Sequence, residues 1–325
     1  MKKLINPDLY HGEHKKKNFF EGWYFKIVDK NNENQFAFIP GIAKGIKAKH
    51  THSFIQVLNS ENRNYTYYKY NEKCFRYNND NFKINIDKSL FALDRLKLDI
   101  SCNNKSLKGN LKFNNTIKWP DSNINPGSMG FYNYLWFMKC YAQVCILDGD
   151  IEGVLYVNGE SIDFTGGTVY IEKNWGNSFP KSWVWIQSNS FSDNRASVTC
   201  SLATIPFPIR DFRGFLIGVT IDDYFYSFTT INRSKLNLKQ CGTDVEITVY
   251  NKNLKLTLKT FSYKDTYMLC KGPLNGKMIP LVNETLCGKV LMILEDTKTN
   301  SIIYKGIGEN AGIEYGGELL NIIDN

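Results

Sequence analysis

The sequence predicts an all-β protein built in two halves. Short runs rich in Val, Ile, Tyr, Phe and Thr recur along the whole chain with a two-residue period, the residue types and spacing that suit a pleated surface packed on one or both sides. Hairpin signals such as Asn158-Gly159 and Asp222-Asp223 separate many of them, and no stretch carries a long, capped 3.6-residue period.

In chain order the expected strands begin with Phe20 to Val28, Gln35 to Ile39, Ser53 to Leu58, Tyr65 to Tyr70 and Leu96 to Cys102. A breaker-rich segment from Lys118 to Met129, with Trp119-Pro120, Asn125-Pro126 and Gly127, then interrupts the rhythm; it reads as a long loop over a cavity or a connection inside the first half. Ala142 to Leu147 and Gly153 to Val157 follow, and then Gly166-Gly167 within Phe164 to Thr168, which places a domain boundary between residues 165 and 166. Beyond it come Trp183 to Asn189, Ala196 to Thr204, Phe215 to Ile221, Tyr224 to Ile231, Asp244 to Tyr250, Leu254 to Phe261, Gly288 to Glu295 and Ile302 to Gly306. So many short strands imply sandwiches or barrels, which resolve the problem of open edges by closing or nearly closing. A chain of 325 residues exceeds what one core usually supports, which gives domains 1–165 and 166–325.

Composition excludes several functions. The net charge of +8 comes from scattered lysines, densest at Lys15-Lys16-Lys17, and no zinc-finger or RNA-binding signature accompanies them, which argues against a nucleic-acid partner. The N-terminus has two lysines with no apolar stretch behind them, and no run reaches the roughly 18 apolar residues of a membrane helix. Eight dispersed cysteines without a Cys-x-x-Cys pair read as free thiols, so the expected location is the cytoplasm. His50 and His52 share a face if extended but have no third ligand, so no metal is expected. Gly306-Ile-Gly308-Glu-Asn-Ala311 matches a dinucleotide fingerprint with too little chain after it for the required helix and strand, and no cofactor is expected. Serine-hydrolase, zinc-protease and P-loop motifs are missing from the sequence.

Three short regions carry the chemistry. Alternation along Trp183 to Gln187 puts Trp183, Trp185 and Gln187 on one face and Val184 and Ile186 on the other, an apolar wall with one polar handle; a barrel core is the competing account. Glu172-Lys173-Asn174-Trp175-Gly176 sets a carboxylate, an ammonium, an amide and an indole side by side. Such a cluster is costly to bury without a purpose, and an exposed turn is its alternative. Glu21 shares a strand face with Trp23 and Phe25, an unusual place for an unpaired charge, and a structural salt bridge to Lys173 competes with a catalytic role.

Phe19 to Phe25, Tyr170 to Gln187 and Ala311-Gly-Ile-Glu-Tyr-Gly-Gly317 together resemble the motifs of the tocopherol cyclase family. The resemblance implies two lipocalin-like β-barrel or sandwich halves packed against each other, with a ligand cavity near their junction. It also implies a cofactor-free cyclisation of the intramolecular lyase or isomerase type, in which an acid protonates the alkene of a prenylated quinol and the phenolic oxygen closes the ring on the resulting cation. On that reading Glu172 is the first candidate acid and Glu21 the second. Trp23, Tyr24, Trp175, Trp183 and Trp185 would face the cation, Tyr170, Asn174 or Gln187 would hold the substrate oxygen, and His52 would line the site. The partner would be a hydrophobic small molecule, collected by peripheral contact with a membrane; the oligomeric state is not set by the sequence. One departure stands out: Lys139-Cys140-Tyr141-Ala142 occupies a place where many bacterial relatives carry Glu-Cys-Tyr-His, although the nearby Phe131 to Trp136 run stays aromatic. A chain that kept the pocket and lost its polar groups would be a non-catalytic, lipocalin-like binder of an isoprenoid or other lipid.

Overall fold

The structure, a computed structural model, describes residues 2–102, 105–206 and 211–317. A four-residue helix, α1 (Lys2–Ile5), precedes β1 (Phe19–Val28), β2 (Gln35–Lys44), β3 (His52–Asn59), β4 (Asn64–Tyr70), β5 (Phe75–Tyr77), β6 (Lys83–Ile86) and β7 (Ser89–Ala92). Next come β8 (Arg95–Cys102), β9 (Lys105–Ile117), β10 (Cys140–Ile146), β11 (Asp148–Val157), β12 (Glu160–Asp163) and β13 (Thr168–Gly176). The second half holds β14 (Trp183–Ser188), β15 (Ser190–Phe191), β16 (Ala196–Ile205), β17 (Phe212–Ile221), β18 (Tyr224–Thr229) and β19 (Lys235–Cys241). It ends with β20 (Asp244–Asn251), β21 (Leu254–Phe261), β22 (Met268–Leu274), β23 (Lys277–Asp296) and β24 (Ser301–Gly316). The protein is all-β, as its sequence predicts, and forms two curled antiparallel sheets.

The first sheet takes the thirteen strands β1 to β13 in the order β4-β3-β2-β1-β13-β11-β9-β8-β7-β6-β5, with β10 also on β13 and β12 on β11. The second takes the remaining eleven in the order β18-β17-β16-β14-β24-β23-β21-β20-β19, with β15 on β24 and β22 on β23. Each sheet is thus a meander whose last long strand returns to pair with its first: β13 with β1, and β24 with β14. Each also has its own core. Trp23, Phe25, Phe36, Phe38 and Ile171 are among the buried residues of the first, and Val184, Ile186, Val198, Leu258 and Ile313 of the second.

Burial follows from composition. β8 and β20 alternate buried and less buried residues, as strands with one covered face do. β1 and β3 are buried at nearly every position; β1 reads as a largely apolar and aromatic run, whereas β3 buries the polar His52, Ser53, Gln56 and Asn59 among its apolar residues. All eight cysteines are free thiols. Among the described residues no helix is long and apolar enough to cross a membrane.

The domain division differs from the expected 165/166 boundary. The chain separates into Met1–Phe179 with Lys271–Leu281, and Pro180–Cys270 with Val282–Asn325. Gly166-Gly167 punctuates the turn between β12 and β13 and does not end the first unit, because β13 is the strand that pairs with β1. The second piece of that unit is held locally: Gly276 N–H donates to Asn177 O at 2.8 Å, and Phe179 N–H to Pro273 O at 3.1 Å. Lys118 to Met129 forms the expected connection inside the first unit and leads into a 3-10 turn, Gly130–Tyr134.

Close approach fixes one glycine of a facing pair. Gly22 and Gly41 oppose each other across β1 and β2. A Cβ on Gly41 would overlap the Phe54 ring and lie 2.7 Å from Glu21 O, whereas one on Gly22 would meet nothing closer than 3.7 Å. Gly41→Ala is therefore expected to cost about 1–3 kcal/mol and to lower the urea midpoint, and Gly22→Ala to leave that midpoint nearly unchanged.

Candidate functional site

β1 and β13 run antiparallel with Glu21 opposite Trp175, Trp23 opposite Lys173 and Tyr24 opposite Glu172. Side chains alternate across a sheet. Glu21, Trp23, Lys173 and Trp175 therefore share the face toward the core of the first unit, and Tyr24, Tyr170, Glu172 and Asn174 share the other. The two carboxylates singled out in the sequence stand back to back.

On the core face, Lys173 Nζ lies 2.6 Å from Glu21 Oε1, and both side chains are fully buried. The N-terminal segment completes the cluster. Lys173 donates to Leu9 O at 2.5 Å and Pro7 O at 2.8 Å, and His11 N–H donates to Glu21 Oε2 at 2.8 Å. His11 Nε2 is 3.0 Å from Lys3 O, so that nitrogen carries the proton, and Nδ1 is left to accept from Lys173 at 3.1 Å. Burial, and then the charge of Lys173, push the His11 pKa below its ordinary value and keep the ring neutral. Desolvation pushes the Glu21 carboxyl upward, but Lys173 and the contacts of His11 outweigh it, and the net shift is downward. Glu21 is accordingly an ionised partner of Lys173, as the salt-bridge account of this residue has it.

The rings on this face already have neighbours. His11 stacks on Trp175 at 4.3 Å and 7°, and Tyr141 stacks with Trp175 at 5.2 Å and 10°. Lys173 Nζ sits 4.7 Å from the centre of the Trp175 ring and 5.1 Å from that of Trp23. The cation that these two indoles face is an ammonium of the protein itself.

On the opposite face, Tyr170 O–H donates to Glu172 Oε2 at 2.7 Å and Asn174 Nδ2–H to Oε1 at 3.2 Å. Tyr170 is fully buried and Glu172 half-buried. The same face continues across the register of β2 and β3 to Gln56, which accepts from Tyr65 O–H at 2.5 Å, and to His52. His52 Nδ1 is 2.8 Å from His50 O and donates to it, so Nε2 accepts from Tyr67 O–H at 2.6 Å. Burial lowers the His52 pKa and raises that of Tyr67, so this pair is held neutral.

The second unit carries Trp183, Trp185 and Gln187 on the face of β14 turned away from its core, while Val184 and Ile186 belong to that core. Trp183 Nε1–H donates to Glu314 Oε2 at 2.7 Å. Glu314 stands opposite Trp185 on one side and opposite Glu284 on the other. Glu284 is buried. Burial, with both carboxylates adding to it, pushes the Cys270 thiol pKa upward. Gln187 Nε2 lies 3.4 Å from Asn189 Oδ1.

Among the residues of these clusters that sequence reasoning misses are His11, Glu284 and Glu314. Glu314 lies inside the Ala311–Gly317 motif, and Gly316 beside it was the available signal, since a Cβ there would strike the indole of Trp183. His11 and Glu284 have no local signature.

A family model described as tocopherol cyclase-like matches residues 93–317 of the chain. The chain belongs to the tocopherol cyclase-like family. Its match includes Glu172, Glu284 and Glu314 and begins after β1. Among curated proteins, this tocopherol cyclase-like chain is 36% identical over 96 residues to a chloroplastic tocopherol cyclase of Zea mays. It is 32% identical over 96 residues to the "Probable tocopherol cyclase, chloroplastic" of Oryza sativa subsp. japonica. Each alignment takes in 28% of the chain and 20% of the relative, so the chain spans about a fifth of the curated relatives it matches. Among solved structures, CghA with Sch210972 aligns over 92% of this chain and 89% of its own at a TM-score of 0.56 and 7% identity. A protein of Nitrosomonas europaea assigned as AttH aligns over 92% of both chains at 0.53 and 14%. These likenesses are of fold.

In the tocopherol cyclase-like fold the two units repeat one device. The last strand of each sheet carries a carboxylate directly opposite an aromatic residue of the first: Glu172 with Tyr24, and Glu314 with Trp185. Each carboxylate accepts a bond from a neighbouring ring, the phenol of Tyr170 or the indole of Trp183.

Lys173→Met leaves Glu21 buried without its counter-charge and is expected to destabilise the protein by about 3–5 kcal/mol. The double variant Glu21→Gln/Lys173→Met should recover much of that loss in chemical denaturation. A pH profile follows from His11. Its folded pKa lies below the ordinary 6.5, so as the pH falls the unfolded chain takes up a proton that the folded chain refuses. Its contribution to stability is complete above that value and shrinks below it; the Glu21 contribution goes later, as the pH drops below the ordinary carboxylate value of 4.5. Thermal melts from pH 8 to 5 should show Tm falling in the acid half. His52, also shifted down, acts with the same sign, so the shallower profile expected of His11→Gln isolates the part due to His11.

Proposed function

We propose that this chain is a cofactor-free cyclase that closes a ring on a prenylated quinol or a related isoprenoid alkene by general acid catalysis. The observation that carries the reading is Glu172 held between Tyr170 and Asn174 on the sheet face that also bears Tyr24. An amide N–H fixes one carboxyl oxygen, and a phenol oxygen sits at the other. A phenol both donates and accepts, so Tyr170 can bond Glu172 in either protonation state. Glu314 is paired differently, because an indole N–H only donates. Glu21 is ionised by its pairing with Lys173, which leaves Glu172 as the acid in this reading.

In the proposed step the Glu172 proton passes to the less substituted alkene carbon, and a tertiary cation forms at its neighbour. The phenolic oxygen of the substrate then adds to the cation, the new C–O bond closes the ring, and the phenolic proton returns to the Glu172 carboxylate. Electrons and protons balance without a redox partner. Tyr24, directly across from Glu172, offers a ring to the cation. Membership of a family described as tocopherol cyclase-like supports this substrate class.

Glu172→Gln keeps the shape and removes the transferable proton. Turnover of a prenylated quinol is expected to fall roughly 100- to 10,000-fold with binding of the quinol retained, the range typical of general acid catalysis. Equal rates for wild type and variant would remove Glu172 from the reaction. Tight binding with no turnover by either would instead support a carrier of hydrophobic ligands, and mass spectrometry of the co-purifying molecule would then name its cargo.

A further inference from the structure

The connection from Lys118 to Lys139 is irregular but firmly fixed. Ser128 N–H donates to Gln143 Oε1 at 2.9 Å, and Ser128 Oγ accepts from Val144 N–H at 3.1 Å. Asn133 Nδ2–H donates to Pro126 O at 2.6 Å, and Tyr134 O–H to Asn123 O at 2.7 Å. On this base the large apolar side chains point into solvent. Trp136 is 89% exposed and Ile124 79%, and Phe131, Tyr134 and Phe137 are exposed as well. One exposed apolar residue is ordinary. Five in one short ordered segment form a patch, and such patches mark interaction surfaces.

A basic rim adjoins the patch in the same unit. Asn177 N–H donates to Lys139 O at 2.9 Å, and Gly276 N–H donates to Asn177 O at 2.8 Å. A Cβ on Gly276 would lie 2.7 Å from both Phe19 N and Lys44 O. Lys139, the start of β1, the end of β2 and the turn at Gly276 therefore meet at one end of the unit. Lys277 and Lys47 both lie within electrostatic range of His50. Lys15, Lys16, Lys17, Lys47, Lys139 and Lys277 are all exposed. Segments 14–19, 44–50, 118–139 and 271–281 contain ten lysines and a single acidic residue, Asp121.

We propose that this end of the first unit docks on an anionic lipid bilayer, with the ring of Trp136 in the interfacial layer and the lysines over the headgroups. Trp, Tyr and Phe suit that layer because an apolar ring meets a wet boundary there, and a negatively charged leaflet attracts the lysines by a salt-screened force. A second copy of the chain fits less well, since a self-complementary contact would bring two lysine rims together. The proposal is independent of the reaction above, because docking is read without turnover.

The test is co-sedimentation of the full chain with vesicles of phosphatidylcholine alone or mixed with phosphatidylglycerol. Wild type should sediment with the mixed vesicles at low salt, be released by high salt and bind phosphatidylcholine weakly. Trp136→Ser should weaken partitioning roughly tenfold, as expected for loss of one large apolar side chain from its buried position, with an unchanged thermal melt. Replacing Lys15, Lys16 and Lys17 together with Gln should remove most of the preference for phosphatidylglycerol. The proposal is overturned if wild type stays in the supernatant with mixed vesicles, or if Trp136→Ser sediments like wild type. It is also overturned if the chain is a dimer in lipid-free buffer that Trp136→Ser dissociates, which would give the patch to a second copy.

Discussion

A carboxylate and an ammonium removed completely from water, 2.6 Å apart across β1 and β13, set the terms for the first unit. Desolvating both groups is expensive, and attraction between them offsets that cost only when their remaining hydrogen-bonding capacity is filled. The main-chain carbonyls of Pro7 and Leu9 and the amide of His11 supply it. For this reason a polar N-terminal segment with no strand of its own is fixed against the sheet, with Leu9 and Tyr10 buried behind it. The pair also pins register. A slip of one residue in β13 would turn Lys173 to the opposite face and leave Glu21 alone among aromatic rings, an outcome the buried interior does not tolerate. With register fixed, Glu172 has one place to be. It lies behind the ion pair, with a phenol and an amide for neighbours, so one strand presents a locked charge on one side and a hydrogen-bonded carboxyl group on the other.

The matching strand orders of the two sheets extend this logic. In each, the first and last strands are central neighbours, and the positions where they face one another are remote in sequence but adjacent in space. Polar groups placed there have long, well-supported strands on both sides, which gives them fixed orientation without help from mobile loops. The first unit uses the arrangement twice, once on each face. In the second, Trp183, Trp185 and Glu314 stand on one face, and Val184, Ile186 and Ile313 pack the other.

How much of this was legible depends on the range of the interaction. Strand content and the alternation of Trp183 to Gln187 are local properties, and the sequence displays them directly; Val184 and Ile186 do enter the core. The ion pair could be anticipated because Glu21 among aromatic residues demands a partner and Lys173 stood in the other aromatic motif. That the faces of Trp23 and Trp175 are turned to Lys173 could not, because it depends on the register of two distant strands. The boundary near residue 165 was misplaced for a similar reason: a Gly-Gly turn looks alike whether it ends a domain or a hairpin, and only the pairing of β13 with β1 distinguishes them. His11 and Glu284 were invisible because their roles come entirely from residues far along the chain.

Residues 271–281 belong to the first unit although most of the second lies between them and Phe179. A chain emerging from the ribosome would therefore have its first thirteen strands available long before the turn at Gly276 arrives to meet Asn177. Non-local pairing of this kind slows folding and prolongs the exposure of unsatisfied strand edges. The first sheet would have all its strands early, but its unit would wait for residues 271–281 until most of the second unit is synthesised, and the second would close last, when β24 arrives. Truncation anywhere before residue 281 would remove a piece of both.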